Sequence, residues 1–317
     1  MSIQTRYHTL QDSTQLGYIL IIISAVLFAL VHVIAKPMLG DSSITSNVLN
    51  QGINPIVLAA CIYMLNGLFF TPIVKKTNSC SIQKLGNKNI ILLSLIGIVE
   101  VSALIVYLFG LKDTTAVNAS IFSNGEIVFS LVIAMMVFRE KLRKNELVPF
   151  LMIIIGMIIL PVTYDLYEND MSMSSLLLGD ILIILSGLFY AIDVNLCKYV
   201  SNKIDAKRIT QITSFASGIF ALFILVIFDI PFNVNLNDIP MISILAFAGT
   251  GIATLFFVMA LKLLGGVRTI LLYSTTAIFG IIFSSIILSE EITIMDILST
   301  ILVISGIYFM RNKIGNE

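Results

Sequence analysis

The chain has 317 residues, 57% of them hydrophobic and only 12% charged, against about 25% charge in soluble domains. Its mean hydropathy is +0.99, and its 19 basic residues balance 19 acidic ones. This excludes a soluble globular protein, because no stretch between the apolar runs supplies a polar shell, and it gives nucleic acid or an acidic surface no footing as a partner.

Apolar runs of about 20 residues, the length that crosses a bilayer, predict ten helices at 16–38, 53–74, 89–111, 114–138, 146–163, 176–200, 209–228, 240–263, 268–289 and 293–311. The first run opens at Leu16 behind a polar stretch containing Arg6 and is roughly twice as long as a signal h-region, so a retained helix is expected. The connections are short and leave no room for a soluble catalytic domain. Cys61, Cys80 and Cys197 lack metal-ligand spacing and read as packing residues.

Lys and Arg alone set the expected orientation. With both termini in the cytoplasm, 17 of the 19 fall in inner loops or at inner helix ends, and only Lys36 and Lys112 fall outside. A miscounted helix would scramble that bias, so it supports the count as well as the orientation. A multi-pass protein of the cell membrane is the expected location.

The two halves resemble each other. LGYILIIISAVLFALVHVIAK (16–36) laid over LGDILIILSGLFYAIDVNLCK (178–198) matches Leu16/Leu178, Gly17/Gly179, Ser24/Ser186, Ala29/Ala191 and Lys36/Lys198. Residues 111–140 lie without a gap over 261–290, matching Leu111/Leu261, Lys112/Lys262, Val117/Val267, Phe129/Phe279 and Glu140/Glu290, with Gly156/Gly306 beyond. The repeat unit is five helices, an odd number, so the second copy starts on the opposite side from the first. The expected fold is therefore all-α integral membrane: ten transmembrane helices as two inverted five-helix repeats, the construction that places one site near the midplane of many secondary transporters.

These features resemble the drug/metabolite transporter superfamily, in its ten-helix branch of EamA-type exporters and permeases. The most specific part is Ala116 and Ala119, then Glu126 at mid-helix, Glu140 fourteen residues later and Gly156, echoed by Thr276, Glu290 and Gly306. The resemblance implies EamA-type repeats at 1–163 and 176–311. Two departures stand out: Ile127 takes the place of a frequent proline, which questions a kink in the fourth helix, and Thr276-Ala277 replaces the acidic pair in the second half. The family carries too many kinds of molecule for the resemblance to name a substrate.

Glu126 stands in the middle of SIFSNGEIVFSLVIAMMVF, where a carboxylate costs about 2.5 to 3.5 kcal/mol on insertion scales. Glu100, in the preceding helix, is thirteen residues from the turn at Asp113, as Glu126 is, so at about 1.5 Å per residue the two sit at one depth. Such a carboxylate either binds protons and substrate or, protonated, serves as glue to Ser102, Ser123, Asn124 or Thr250. His32 and Asp193 fit outer and inner vestibules, with Asp193 pairing to Lys198 as the bland alternative. Tyr63, Asn66, Tyr107, Tyr190, Tyr273 and Thr276 complete the candidates, the aromatics suiting an amine through cation-π contact. Glu140 and Glu290 sit at helix ends and read as helix stops or partners of loop charges.

The expected function is a secondary carrier of a small metabolite such as an amino acid or amine, either proton-coupled or an uncoupled exchanger, with the lipid bilayer as surroundings and no cofactor. No G-x-x-x-x-G-K-[ST] loop is present to drive primary transport. An intramembrane lipid- or peptide-modifying enzyme is the competing class, and it is poorly supplied: the histidines are His8 and His32, and neither H-E-x-x-H nor G-x-S-x-G occurs.

Overall fold

Long unbroken apolar runs leave the backbone one way to satisfy its N–H and C=O groups away from water, which is to coil on itself. In the computed structural model, which describes residues 3–40, 52–76, 86–137, 147–156 and 173–314, no strand occurs among the described residues. The helices are α1 (Ile3–Leu39), α2 (Pro55–Lys76), α3 (Asn87–Asp113), α4 (Ala116–Phe122), α5 (Gly125–Val137), α6 (Leu147–Gly156), α7 (Met173–Ser201), α8 (Ala206–Ile227), α9 (Ile239–Ile244), α10 (Ala253–Leu264), α11 (Gly266–Tyr273), α12 (Thr276–Phe283) and α13 (Ile294–Ile314). A π-helical segment, Leu245–Ile252, joins α9 to α10, and a second, Ser284–Leu288, extends α12.

Among the described residues, seven stretches are long and apolar enough to cross a membrane: Thr14–Leu39, Pro55–Lys75, Asn87–Asp113, Leu178–Ser201, Ala206–Ile227, Leu236–Leu264 and Arg268–Leu288. Two shorter apolar helices, Leu147–Gly156 and Ile294–Phe309, accompany them. The expected span 114–138 is not one rod. It breaks at Ser123–Asn124 into α4 and α5, although no proline is present, and α11 and α12 break in the same way at Ser274–Thr275. At both breaks the amides close short turns, Asn124 N–H on Ile121 O at 3.2 Å and Thr275 N–H on Leu272 O at 3.2 Å. Side chains assist: Ser123 Oγ donates to Ser120 O and Thr275 Oγ1 to Leu272 O, offering the carbonyls an alternative to the helix ladder. Lys84, Arg139, Lys141, Arg143, Lys144 and Glu140, on which part of the orientation and repeat argument rests, lie outside the described residues, as does Cys80.

Packing repeats between the halves. α3 lies on α7 and α8, while α1 lies on α10 and α2 on the π-helical segment before α10; α2 meets α8 and α4 meets α12. The aligned glycines make aligned contacts. A Cβ on Gly17 would stand 3.1 Å from Leu263 Cβ, and one on Gly179 would stand 2.9 Å from Asp113 C; Leu263 and Asp113 are themselves equivalent in the repeat. Between α6 and α13 the relation is reciprocal: Gly156 faces Val303 and Ser299 O, and Gly306 faces Ile153 and Pro149 O. Other glycines make close contacts inside the chain, Gly218 against Met64 and Gly280 against Ser120. The bundle's outside is apolar, with Ile19, Ile91, Phe223 and Val226 among the exposed side chains, as a lipid solvent demands.

Candidate functional site

Inside the bundle, elements from both halves enclose a two-lobed cavity. One lobe is bounded by Tyr107, Ser123, Asn124, Ile127, Ser186, Ser274 and Thr276, the other by Tyr63, Glu100, Asp193, Cys197, Thr213, Thr250, Thr254 and Phe257; Phe28, Glu126, Tyr190 and Tyr273 belong to both. Water-accessible space amounts to about 30 Å³ in the first lobe and 50 Å³ in the second. At about 30 Å³ per liquid water this conformation holds a few waters and no substrate.

Glu126 enters this cavity because the α4–α5 break ends just before it and because Gly187 lets α7 approach: a Cβ there would stand 2.7 Å from Glu126 N. The side chain is 9% exposed, and among the described residues no side-chain hydrogen bond reaches its carboxyl group. Glu100, equally buried, is fastened: the hydroxyl of Tyr63 on α2 donates to it, as does that of Thr213 on α8, which shares its proton with Thr210 O at 3.4 Å. Asp193 is half-buried and accepts from the Cys197 thiol at 3.7 Å, one helical turn on. The glue partners expected from sequence are spent elsewhere. Ser102 donates to Ile98 O, Ser123 to Ser120 O, Asn124 to Ile121 O and Thr250 to Ala246 O, each within its own helix.

Eight of the ten expected site residues line the cavity: Glu126, Glu100, Asp193, Tyr63, Tyr107, Tyr190, Tyr273 and Thr276. Two do not. His32 is no vestibule residue; it is fully buried behind the wall, its Nδ1 bonded to the Tyr107 hydroxyl and its ring edge-on to Phe28 at 5.8 Å. Asn66, also buried, donates to Ser214 Oγ at 2.8 Å and packs against Gly251 of the π-helical segment, so it ties α2 to α8 and to that segment and lines neither lobe. Asp193, expected at the inner vestibule of the same cavity, lines the lobe that holds Glu100 and Glu126.

Sequence reasoning passed over Phe28, Cys197, Thr213 and Phe257. Phe28 forms the hinge of the aromatic wall, 6.0 Å from Tyr190 and 5.7 Å from Tyr273, and Phe257 meets Tyr273 at 4.9 Å. Cys197 was legible as the i+4 neighbour of Asp193 on one helix face. Thr213 was not, since nothing local ties α8 to Glu100.

A bundle of apolar helices closed around a buried polar cavity is the build of a multi-pass integral membrane protein. A model of the EamA-like transporter family matches residues 15–161 and again 177–312, and the chain belongs to that family, within the drug/metabolite transporter superfamily. An uncharacterized transporter of Methanothermobacter thermautotrophicus is 27% identical over 309 residues, spanning 93% of this chain and 85% of the relative. A crystal structure described only as that of a protein covers 96% of this chain and 98% of its own at a TM-score of 0.62 and 12% identity, a likeness of fold alone.

Proposed function

We propose that this protein is a secondary transporter of the cell membrane, moving a small metabolite such as an amino acid or amine by alternating access around the two-lobed cavity. In this reading ten spans form two inverted five-helix repeats with both termini in the cytoplasm. The family model's two matched segments and the reciprocal glycine contacts support that arrangement.

One observation carries the functional reading: a carboxyl group without a side-chain partner, over nine-tenths buried, held at a broken helix and aimed into a cavity walled by both halves. A carboxylate kept there as helix glue would have a donor, as Glu100 has. Glu126 instead alternates between a proton and a substrate, releasing one when it takes the other.

The test is reconstitution in liposomes under a pH gradient, with lumenal pH followed while pooled amino acids, amines and sugars are added. Substrate-dependent proton movement that disappears in Glu126→Gln supports the reading. Labelled substrate that exchanges equally in wild type and Glu126→Gln, without proton movement, makes the protein an uncoupled exchanger and removes Glu126 from the mechanism.

A further inference from the structure

Four of the hydroxyls that line the cavity have their protons engaged by backbone carbonyls. Ser186 donates its hydroxyl proton to Ile183 O at 2.6 Å, Ser274 to Leu271 O at 2.6 Å, Thr276 to Tyr273 O at 2.6 Å and Thr250 to Ala246 O at 2.9 Å. A hydroxyl so engaged turns only lone pairs toward the space it lines. The amides at the α4–α5 break are likewise occupied, Glu126 N–H on Ser123 O at 3.2 Å and Ile127 N–H on Asn124 O at 2.9 Å, so this helix start does not wait for an anion. Among the described residues no lysine, arginine or histidine lines either lobe, whereas three carboxyl groups do.

Those three carboxyls are not equivalent. Glu100 already takes two hydroxyl donors. Among the described residues Glu126 has none, and Asp193 has only the weak thiol donor of Cys197 at 3.7 Å. Around Glu126 and Asp193 the other titratable groups are Glu100, Tyr63, Tyr107, Tyr190, Tyr273 and Cys197, so among the described residues no protein cation neutralises them within the cavity. Phe28, Tyr190 and Tyr273 line the same lobe as the two carboxyls, and an aromatic face attracts a positive charge and repels a negative one.

Resting on the carrier reading above, we propose that the substrate is an organic dication with an amine or guanidine group at each end and no acidic group, in the simplest case a diamine. One end meets Glu126 and the other Asp193, while Glu100 stays with its hydroxyls. The empty cavity crosses with a proton on each of these two carboxyls, and the loaded one crosses with the dication in their place. Both forms then carry the same charge, so neither faces an added cost from the membrane potential.

The full-length protein in liposomes tests this, with labelled putrescine, butylamine and lysine compared over protein-free vesicles under an imposed pH gradient. Putrescine is expected to move with about two protons in exchange and without response to a potassium-set potential, and lysine, which adds a carboxylate, to be carried at least roughly tenfold more slowly. In Asp193→Asn, putrescine flux falls roughly tenfold while butylamine still exchanges for about one proton through Glu126. Lysine or butylamine moving as fast as putrescine, with the same proton count, overturns the dication and leaves the carrier standing. So does proton-coupled amino-acid flux with no putrescine flux. Absence of substrate-dependent flux with every amine, amino acid and sugar tried overturns both.

Discussion

Glu290 holds the start of α4 from the opposite half of the chain: its carboxylate oxygens take the N–H groups of Ala116 at 3.0 Å and Val117 at 2.9 Å. Ser289, at a φ of 56°, ends the preceding helical segment in the left-handed region before the chain reaches Glu290. With Thr115 Oγ1 accepting from Asn118 N–H at 3.1 Å, the first amides of α4, which a helix leaves without partners, are satisfied. The loop charges expected as Glu290's partners are replaced by backbone.

Removing that cap therefore acts on the junction of the two halves. Glu290→Ala is expected to lower stability by about 1 to 2 kcal/mol and Thr115→Ala by about 1 kcal/mol, Glu290 being only half-buried. Thermal unfolding in detergent measures both, and a Glu290→Ala midpoint equal to wild type would show the contact to be idle.

The aligned glycines give a graded test of the packing. Gly179→Ala brings a Cβ to 2.8 Å from Gly110 O, a backbone atom that cannot swing aside, whereas the nearest atom to a Cβ at Gly17 is in the Leu264 side chain, at 2.7 Å. Gly179→Ala is expected to cost about 2 to 3 kcal/mol, and Gly17→Ala less than about 1.5 kcal/mol because Leu264 can change rotamer. Equal losses in a thermal-shift comparison would remove the distinction between backbone and side-chain obstruction.

Glu100 and Glu126 should separate in the same way between stability and transport. Tyr63→Phe and Thr213→Val each strip a donor from a buried carboxyl, with an expected loss of about 1 to 2 kcal/mol. Glu126→Gln breaks no bond, so the folded protein is expected to unfold within about 0.5 kcal/mol of wild type while coupled flux is lost. A Glu126→Gln protein that is strongly destabilised, with Tyr63→Phe unaffected, would reverse the roles.

What could be read from the sequence divides along a physical line. Span positions follow from the cost of polar backbone and side chains in lipid, and the structural helices over Pro55–Lys76, Asn87–Asp113 and Ala206–Ile227 begin and end within a few residues of the expected 53–74, 89–111 and 209–228. Rotation about each helix axis does not follow, because lipid-facing and interior faces are both apolar and the amphipathic phase that orients a soluble helix is missing. So Glu100 and Glu126 could be placed at one depth but not at one cavity, and His32 was set in a vestibule although its ring points into the wall. The break at Ser123–Asn124 was doubted and that at Ser274–Thr275 passed over because the usual marker is proline, whereas here hydroxyl side chains compete for the backbone carbonyls.

Cys197 offers a direct reading of the cavity's charge. Its thiol is 5% exposed, lies beside Asp193 and lines the same lobe as Glu100 and Glu126. In a background where Cys61 and Cys80 are replaced by serine, a cationic methanethiosulfonate reagent should label Cys197 roughly tenfold or more faster than an anionic reagent of the same size, because three carboxyl groups concentrate cations at that thiol. Glu126→Gln with Asp193→Asn should compress the ratio toward unity while leaving a neutral reagent's rate unchanged, which separates charge from access. High salt screens an exposed thiol's preference and leaves a buried one largely intact, so a ratio that survives high salt locates the selectivity inside the bundle. Equal labelling by cation and anion in the unmutated cavity would mean that its carboxyl groups are neutral whenever it opens, and a cationic substrate would then lose its main source of attraction.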